Sequence, residues 1–294
     1  MILLVETHAP WFSAKTPLSY VGYNNKNGNT EDSAMKRLMC ANFIQIGEKD
    51  AGMYLSQLKY TGYQGMAYYT SRETIGGFSV NILSASGKIT DTYTWTDDYD
   101  SESETWSGGY WYHEETEKAI GEDDEPDLFL GAGKAVWCYL PRTRNQTDAL
   151  QLVSAGQVLI DSQAVPVNKE NSAMKCGIGN LMAVPCYLSQ VSFTGYEGME
   201  YYISRETIGG FSVNLLSKSG KIENTYTWTD DYNPSAEEWT GGYWYHEETE
   251  KAIGQDDEPD VELLPGDAHW VYAPRTRDQT EGIYLVFPKT EISK

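Results

Sequence analysis

The sequence predicts an all-β protein with only minor helix, arranged as two tandem homologous β-sandwich or β-barrel-like domains. Three observations predict it. The chain repeats itself; its apolar residues alternate between Gly, Asp and Asn turns; and its aromatic residues are mostly Tyr (22) and Trp (9), with only 7 Phe. Period-2 alternation belongs to half-buried strands. Tyr and Trp combine an apolar body with a polar tip, which suits sheet faces.

The repeat sets the frame. Thr61-Gly-Tyr-Gln-Gly-Met66 recurs as Thr194-Gly-Tyr-Glu-Gly-Met199, an offset of 133 that runs without a gap to Thr147 and Thr280. Over these 87 positions, 64 are identical. Upstream, Ser33-Ala-Met-Lys36 matches Ser172-Ala-Met-Lys175 at an offset of 139, so the first copy carries six extra residues before Tyr54. A boundary near 161 divides the chain into residues 1–161, opening with an N-terminal extension (1–32), and residues 162–294. A period this long gives each copy enough chain for its own core, unlike a solenoid repeat. No Pro/Gly/Ser linker separates the copies, and Leu152 to Ile160 reads as strand–turn–strand, so the two are expected to sit close together.

Along the first copy, Gly77–Ser84 alternates, with Phe78, Val80 and Ile82 on one face. A Ser86-Gly-Lys88 turn leads into Thr92-Tyr-Thr-Trp-Thr96, and an acidic loop is expected from Asp97 to Glu104. Trp106–His113 and Ala135–Leu140 read as further strands, the latter ended by Pro141, which lacks a ladder donor. Leu150–Val153 opens the last hairpin. Glu114–Ile120, closed by Gly121, and Ser71–Ile75 are the candidate helical turns.

The net charge of −21, from 43 acidic and 22 basic residues, repels phosphate backbones and anionic lipid, so no nucleic-acid partner is expected. No apolar run reaches the ~18 residues of a membrane span, so no membrane insertion is expected. The start, Met1-Ile-Leu-Leu-Val5, lacks the basic region of a signal peptide. Cys40, Cys138, Cys176 and Cys186 form no CxxC pair, which argues against zinc-ribbon and thioredoxin readings. Cys138 matches Val271 and so reads as a small core residue; Cys176 and Cys186 are near enough in sequence to pair, but buried free thiols are the default.

The candidate sites are few. Trp106, Tyr110, Trp111 and Tyr112, repeated as Trp239, Tyr243, Trp244 and Tyr245, set flat rings beside carboxylates in the way a sugar platform does. The alternative reading of the same strand is a core strand with one buried aromatic face. Asp97 and Asp98, with Asp230 and Asp231, are the candidate Ca²⁺ ligands, because Ca²⁺ takes several carboxylate oxygens from acidic loops. Neither acidic run, 97–104 or 122–127, matches an EF-hand, and no other cofactor is expected. His113 and His246 occupy equivalent positions, but no Ser or Cys nucleophile stands in an elbow motif. Glu114, Glu115 and Glu117 adjoin one another rather than facing across a cleft, as a glycosidase requires. Ile2, Leu3, Leu4 and Val5 form a short apolar strand that could add to a neighbour's sheet edge and propagate self-association.

The order Gly179-Asn-Leu-Met-Ala-Val-Pro185, Thr225-Tyr-Thr-Trp228, Gly241-Gly-Tyr-Trp-Tyr245 and Leu264-Pro-Gly-Asp-Ala-His-Trp-Val271 resembles the repeated β-modules of secreted bacterial surface proteins. The first copy departs from that pattern at Gly131-Ala-Gly-Lys and at Arg37–Phe43. The resemblance implies exported, non-catalytic modules and assigns no site residue. Together these readings lead to the expectation of a non-enzymatic structural protein of an extracellular, cell-surface or virion-surface assembly, a fibre or array subunit. The alternative is a carbohydrate-binding adhesin with one aromatic site per repeat.

Overall fold

The computed structural model describes residues 17–24, 35–40, 43–44, 52–61, 78–84, 87–103, 105–121, 124–131, 133–140, 151–158, 162–168, 174–180, 184–195, 211–217, 220–233, 235–236, 238–254, 257–265, 267–273 and 282–289. The first half holds β1 (Pro17–Asn24), β2 (Met35–Cys40), β3 (Phe43–Ile44), β4 (Gly52–Tyr54), β5 (Lys59–Thr61) and β6 (Ser79–Leu83). It continues with β7 (Ile89–Asp100), β8 (Thr105–His113), β9 (Lys118–Ala119), β10 (Phe129–Gly131), β11 (Ala135–Leu140) and β12 (Gln151–Val158). The second half holds β13 (Gln163–Asn168), β14 (Met174–Gly179), β15 (Cys186–Tyr187), β16 (Ser192–Thr194), β17 (Ser212–Leu216) and β18 (Ile222–Asn233). It ends with β19 (Glu238–His246), β20 (Lys251–Ala252), β21 (Glu262–Leu263), β22 (Ala268–Ala273) and β23 (Ile283–Phe287). The only helices among the described residues are the single 3₁₀ turns Leu55–Gln57 and Leu188–Gln190. The chain is therefore all-β, as the alternation implied.

Each half repeats one plan. A six-stranded antiparallel sheet runs β2-β11-β6-β7-β8-β9 in the first half and β14-β22-β17-β18-β19-β20 in the second. A smaller sheet pairs β1, β3 and β5 with β12, or β13 and β16 with β23; a further ribbon pairs β4 with β10, or β15 with β21. No named strand pairs across the halves; an isolated bridge, Lys134 to Ile178, does cross.

Alternation explains which residues go inside. Phe78 and Val80 are fully buried, and Ile82 packs on the same cluster, as one face of β6 requires. They join Met53, Leu55, Leu58, Tyr60, Tyr93, Trp95, Trp111, Leu130, Val136 and Cys138, so the six-stranded sheet and the smaller elements share one core. The second half buries its own cluster, including Phe193, Phe211, Val213, Trp228, Trp244, Val271 and Leu285. Cys138 is a buried thiol outside any disulfide, in the position Val271 fills; Cys186 is likewise buried and outside any disulfide, in the position of Met53, so it makes no bridge with Cys176.

Four expectations change. Glu114–Glu117 form the turn between β8 and β9 rather than a helix. The Glu117 N–H closes the turn on His113 O at 3.0 Å, Glu117 takes a positive φ of 57°, and Ile120 N–H returns to Trp111 O at 2.8 Å. The acidic loop is shorter than expected, because Asp97–Asp100 continue β7, with Asp98–Asp100 paired to Thr105–Ser107 beyond a register shift between Thr96 and Asp98. Residues 152–158 hold no turn: β12 runs straight through Gly156, held by β1 on one side and by β3 and β5 on the other. And β1, inside the 1–32 extension, has a counterpart in β13, since both pair antiparallel with the last strand of their half and both are bulged. The six extra residues fall where β3 adds a strand to the small sheet. Ser71–Ile75 and Ile2–Val5 lie outside the described residues.

The halves meet at a self-complementary seam. Ala268 and Trp270 pack with Leu83, Ala135, Trp137 and Leu216, so each half contributes the same Leu, Ala and Trp. The indoles of Trp137 and Trp270 meet edge to face with centroids 6.4 Å apart. Each indole also covers a turn glycine of the opposite half, Trp137 over Gly220 and Trp270 over Gly87. These glycines have φ of 78° and 77° and leave no room for a Cβ, so no other residue fits there unstrained. Residue i meeting j while the copy of j meets the copy of i is the signature of a two-fold contact.

Candidate functional site

The long hairpin β7–β8, with its copy β18–β19, carries most of the residues the sequence singled out. Trp95 stands directly opposite Trp111, and Trp228 opposite Trp244. Each pair packs edge to face with centroids 5.3 and 5.2 Å apart. The indole N–H of Trp111 donates to Leu58 O at 2.8 Å, and that of Trp244 to Val191 O at 2.7 Å. Trp95 and Trp228 lie across the β8 and β19 backbones, so a Cβ on Gly109 or Gly242 would overlap the indole. The Gly-Gly pairs of the repeat thus make room for tryptophan.

This corrects the sugar-platform reading at its central rings, Trp111, Tyr112, Trp244 and Tyr245. Trp111 is 2% exposed and Trp244 1%, and Tyr112 and Tyr245 are buried on the opposite face of the same strands. Both faces are covered there, so these rings offer no free surface for stacking. Tyr110 and Tyr243 are half-buried, and the side chains of Trp106 and Trp239 lie outside the described residues. The candidate Ca²⁺ ligands Asp97, Asp98, Asp230 and Asp231 lie on strands β7 and β18, not in a loop, and their side chains are likewise not described. Asp100 is occupied in forming the turn. Its oxygens accept from the Ser103 hydroxyl at 2.7 Å and the Glu102 N–H at 2.8 Å, which hold its carboxyl below the usual carboxylate range. Asn233, its counterpart, has the side chain for the same kind of turn.

Where β8 ends, a polar cluster forms that sequence reasoning passed over. His113 pairs across the ladder with Tyr93 and stacks on its ring, centroids 4.4 Å apart. Its Nδ1–H donates to Glu125 Oε1 at 2.7 Å, and Thr116 Oγ1 lies 3.1 Å from the same nitrogen. The hydrogen bond from His113 is the main cause that holds the Glu125 carboxyl below its ordinary value. Burial, reinforced by Asp91, Glu125 and Asp127, pushes the Tyr93 hydroxyl up to about 12. On the other side of the ring, His113 Nε2 lies 3.6 Å from Asp91 Oδ1 and makes no hydrogen bond.

The second half repeats the cluster with one change. His246 Nδ1 lies 2.6 Å from Glu258 Oε1, Thr249 donates to Glu258 Oε2 at 2.9 Å, and Tyr226 stacks on the imidazole at 4.5 Å. Asn224 stands where the first half has Asp91, and its Oδ1 lies 3.3 Å from His246 Nε2. The signal for this cluster was in the sequence: His and Glu recur at the same spacing of 12 in both copies. It was hidden because Glu125 lies within an acidic run that reads as a solvated loop.

Comparison with protein-family models, with curated proteins and with solved structures finds no match for this chain. Among the described residues, no helix is long and apolar enough to cross a membrane.

Proposed function

We propose that the chain is a non-enzymatic structural subunit of an extracellular or virion-surface assembly, in which a fused pair of β-domains presents equivalent surfaces in a fixed relative orientation. The observation that carries this reading is the reciprocal seam, Trp137 on Gly220 and Trp270 on Gly87. A connector has to hold its two faces at a defined angle under load. Aromatic rings locked over positive-φ glycines, two-fold related, do that without a linker. The aromatic strand of each half supports the same reading, because Trp111 and Trp244 are packed into the cores rather than lining a cleft. The resemblance to exported surface modules supports an assembly outside the cell. The strong negative charge keeps such a subunit apart until its partners are met.

The test is self-association of the full chain. Sedimentation velocity over a wide concentration range, with negative-stain microscopy, is expected to show ordered polymers, weakened in a chain lacking residues 1–7. A strictly monomeric protein at high concentration would count against the proposal.

A further inference from the structure

We propose that Asp91, His113 and Glu115 form a binding site for a divalent first-row transition metal ion of the zinc class, present in the first half alone and independent of the assembly reading. A carboxylate oxygen from each of Asp91 and Glu115 and a ring nitrogen of His113 all lie within 4.8 Å of one another. Ligands of a tetrahedral ion with bonds of ~2.1 Å stand ~3.4 Å apart, and His113 Nε2 and Asp91 Oδ1 are already 3.6 Å apart. A small inward turn of the exposed Glu115 closes the difference.

Acidic side chains on a solvated surface would not by themselves mark an ion site; the histidine does. Its side chain is 9% exposed, yet Nε2 has no hydrogen-bond partner and points towards Asp91 Oδ1 at 3.6 Å. A buried polar nitrogen without a partner is costly, and a cation satisfies it. Nδ1 is already committed as a donor to Glu125. That tautomer leaves the Nε2 lone pair free to face the carboxylates. A carboxylate that accepts the far N–H and fixes the ring is the usual outer partner of a metal-binding histidine, and Glu125 occupies that place. Imidazole nitrogen selects zinc-class ions over Ca²⁺ and Mg²⁺, which prefer all-oxygen sites. Asp91 is part-exposed and Glu115 exposed, so an ion can enter and water can complete its coordination.

The second half is an internal contrast. His246, Glu248, Thr249 and Glu258 keep the matching positions, but Asn224 replaces Asp91. There Asn224 Oδ1 stands 3.3 Å from Nε2, and one anionic ligand is missing.

The experiment is Zn²⁺ titration of the full chain by calorimetry in excess Mg²⁺, which occupies unspecific acidic sites, with Co²⁺ binding read by its visible absorption. One Zn²⁺ per chain is expected. Asp91→Asn should weaken binding roughly tenfold or more, and because it installs the residue the second half already carries, it should leave the fold intact. Asn224→Asp should raise the count to two, a gain that no folding defect can produce. Absence of saturable Zn²⁺ binding, binding that Asp91→Asn leaves unchanged, or a count that stays at one in Asn224→Asp would each overturn the assignment.

Discussion

At residue scale, one hydrogen bond fixes what the central tryptophan of each half does. Trp111 could face either way on a strand, but its N–H has an acceptor in Leu58 O, and Trp95 closes over it. Trp111→Phe keeps an aromatic ring but removes the donor and part of the indole's volume, leaving a buried carbonyl unpaired beside a cavity, at a cost of roughly 2 kcal/mol or more. The expected result is a lower denaturant midpoint with an unchanged slope, and the same in Trp244→Phe. The buried His246–Glu258 pair adds a pH dependence. Burial alone would raise the Glu258 carboxyl, but hydrogen bonds from His246 and Thr249 outweigh it and hold the group below its ordinary value. A carboxylate whose folded pKa is depressed binds fewer protons in the native state than in the unfolded one. Its contribution is therefore present above ~4.5 and lost as pH falls through the folded value. Acid unfolding of Glu258→Gln should lack that part of the slope, as measured by denaturant midpoints between pH 3 and 6. Strand alternation left Trp111 open between a sugar platform and a buried core face, and its burial decides for the core; the His–Glu pair was not legible at all. Only contact across a turn gives a lone histidine and a member of an acidic run a shared role.

At the scale of elements, the strands were the most legible part of the fold. Phe78, Val80 and Ile82 alternate onto one core face, and Ala135–Leu140 forms a strand as expected, because each strand buries one face. Helix propensity misread Glu114–Ile120, since Glu, Lys and Ala are good helix formers wherever tertiary contacts do not decide. Here they do: pairing of Tyr112 with Ala119 and His113 with Lys118 fixes a hairpin, and burial of Ala119 and Ile120 rewards it. The hairpin leaves a signature of strain, because Glu117 and Glu250 both sit at φ 57°. A left-handed conformation costs a non-glycine residue roughly 1–2 kcal/mol, part of which glycine gives back through its freer unfolded chain. Glu117→Gly and Glu250→Gly are each expected to stabilise the protein by ~0.5–1 kcal/mol. A helical segment would respond in the opposite direction, so denaturant midpoints of the two variants discriminate turn from helix directly.

At the scale of the whole molecule, the duplication was plain in the sequence, whereas the way its halves face each other had to be found in space. A trace of the seam is nonetheless present in β11 and β22. Over residues 132–140 and 265–273 the copies agree at Gly133, Ala135, Trp137 and Tyr139 and differ at the alternate positions, which include Val136 and Cys138 of the core. Period-2 identity with a variable core face means that the outward face is the constrained one, and that face supplies Ala135 and Trp137 to the seam. The cores of the halves are separate clusters, and the seam is a third, distinct one. Cooperativity between the halves therefore depends on contacts such as those of Trp137 and Trp270. With the seam intact, the chain should unfold in one calorimetric transition, its van't Hoff and calorimetric enthalpies about equal. In the double variant Trp137→Ala, Trp270→Ala each half keeps its own core, and two domains so similar in sequence melt at similar temperatures. The trace would then still show one peak, broadened, while the van't Hoff enthalpy falls towards about half the calorimetric value, as two independent units require. A ratio that stays near one would mean that the halves are coupled by something other than these tryptophans.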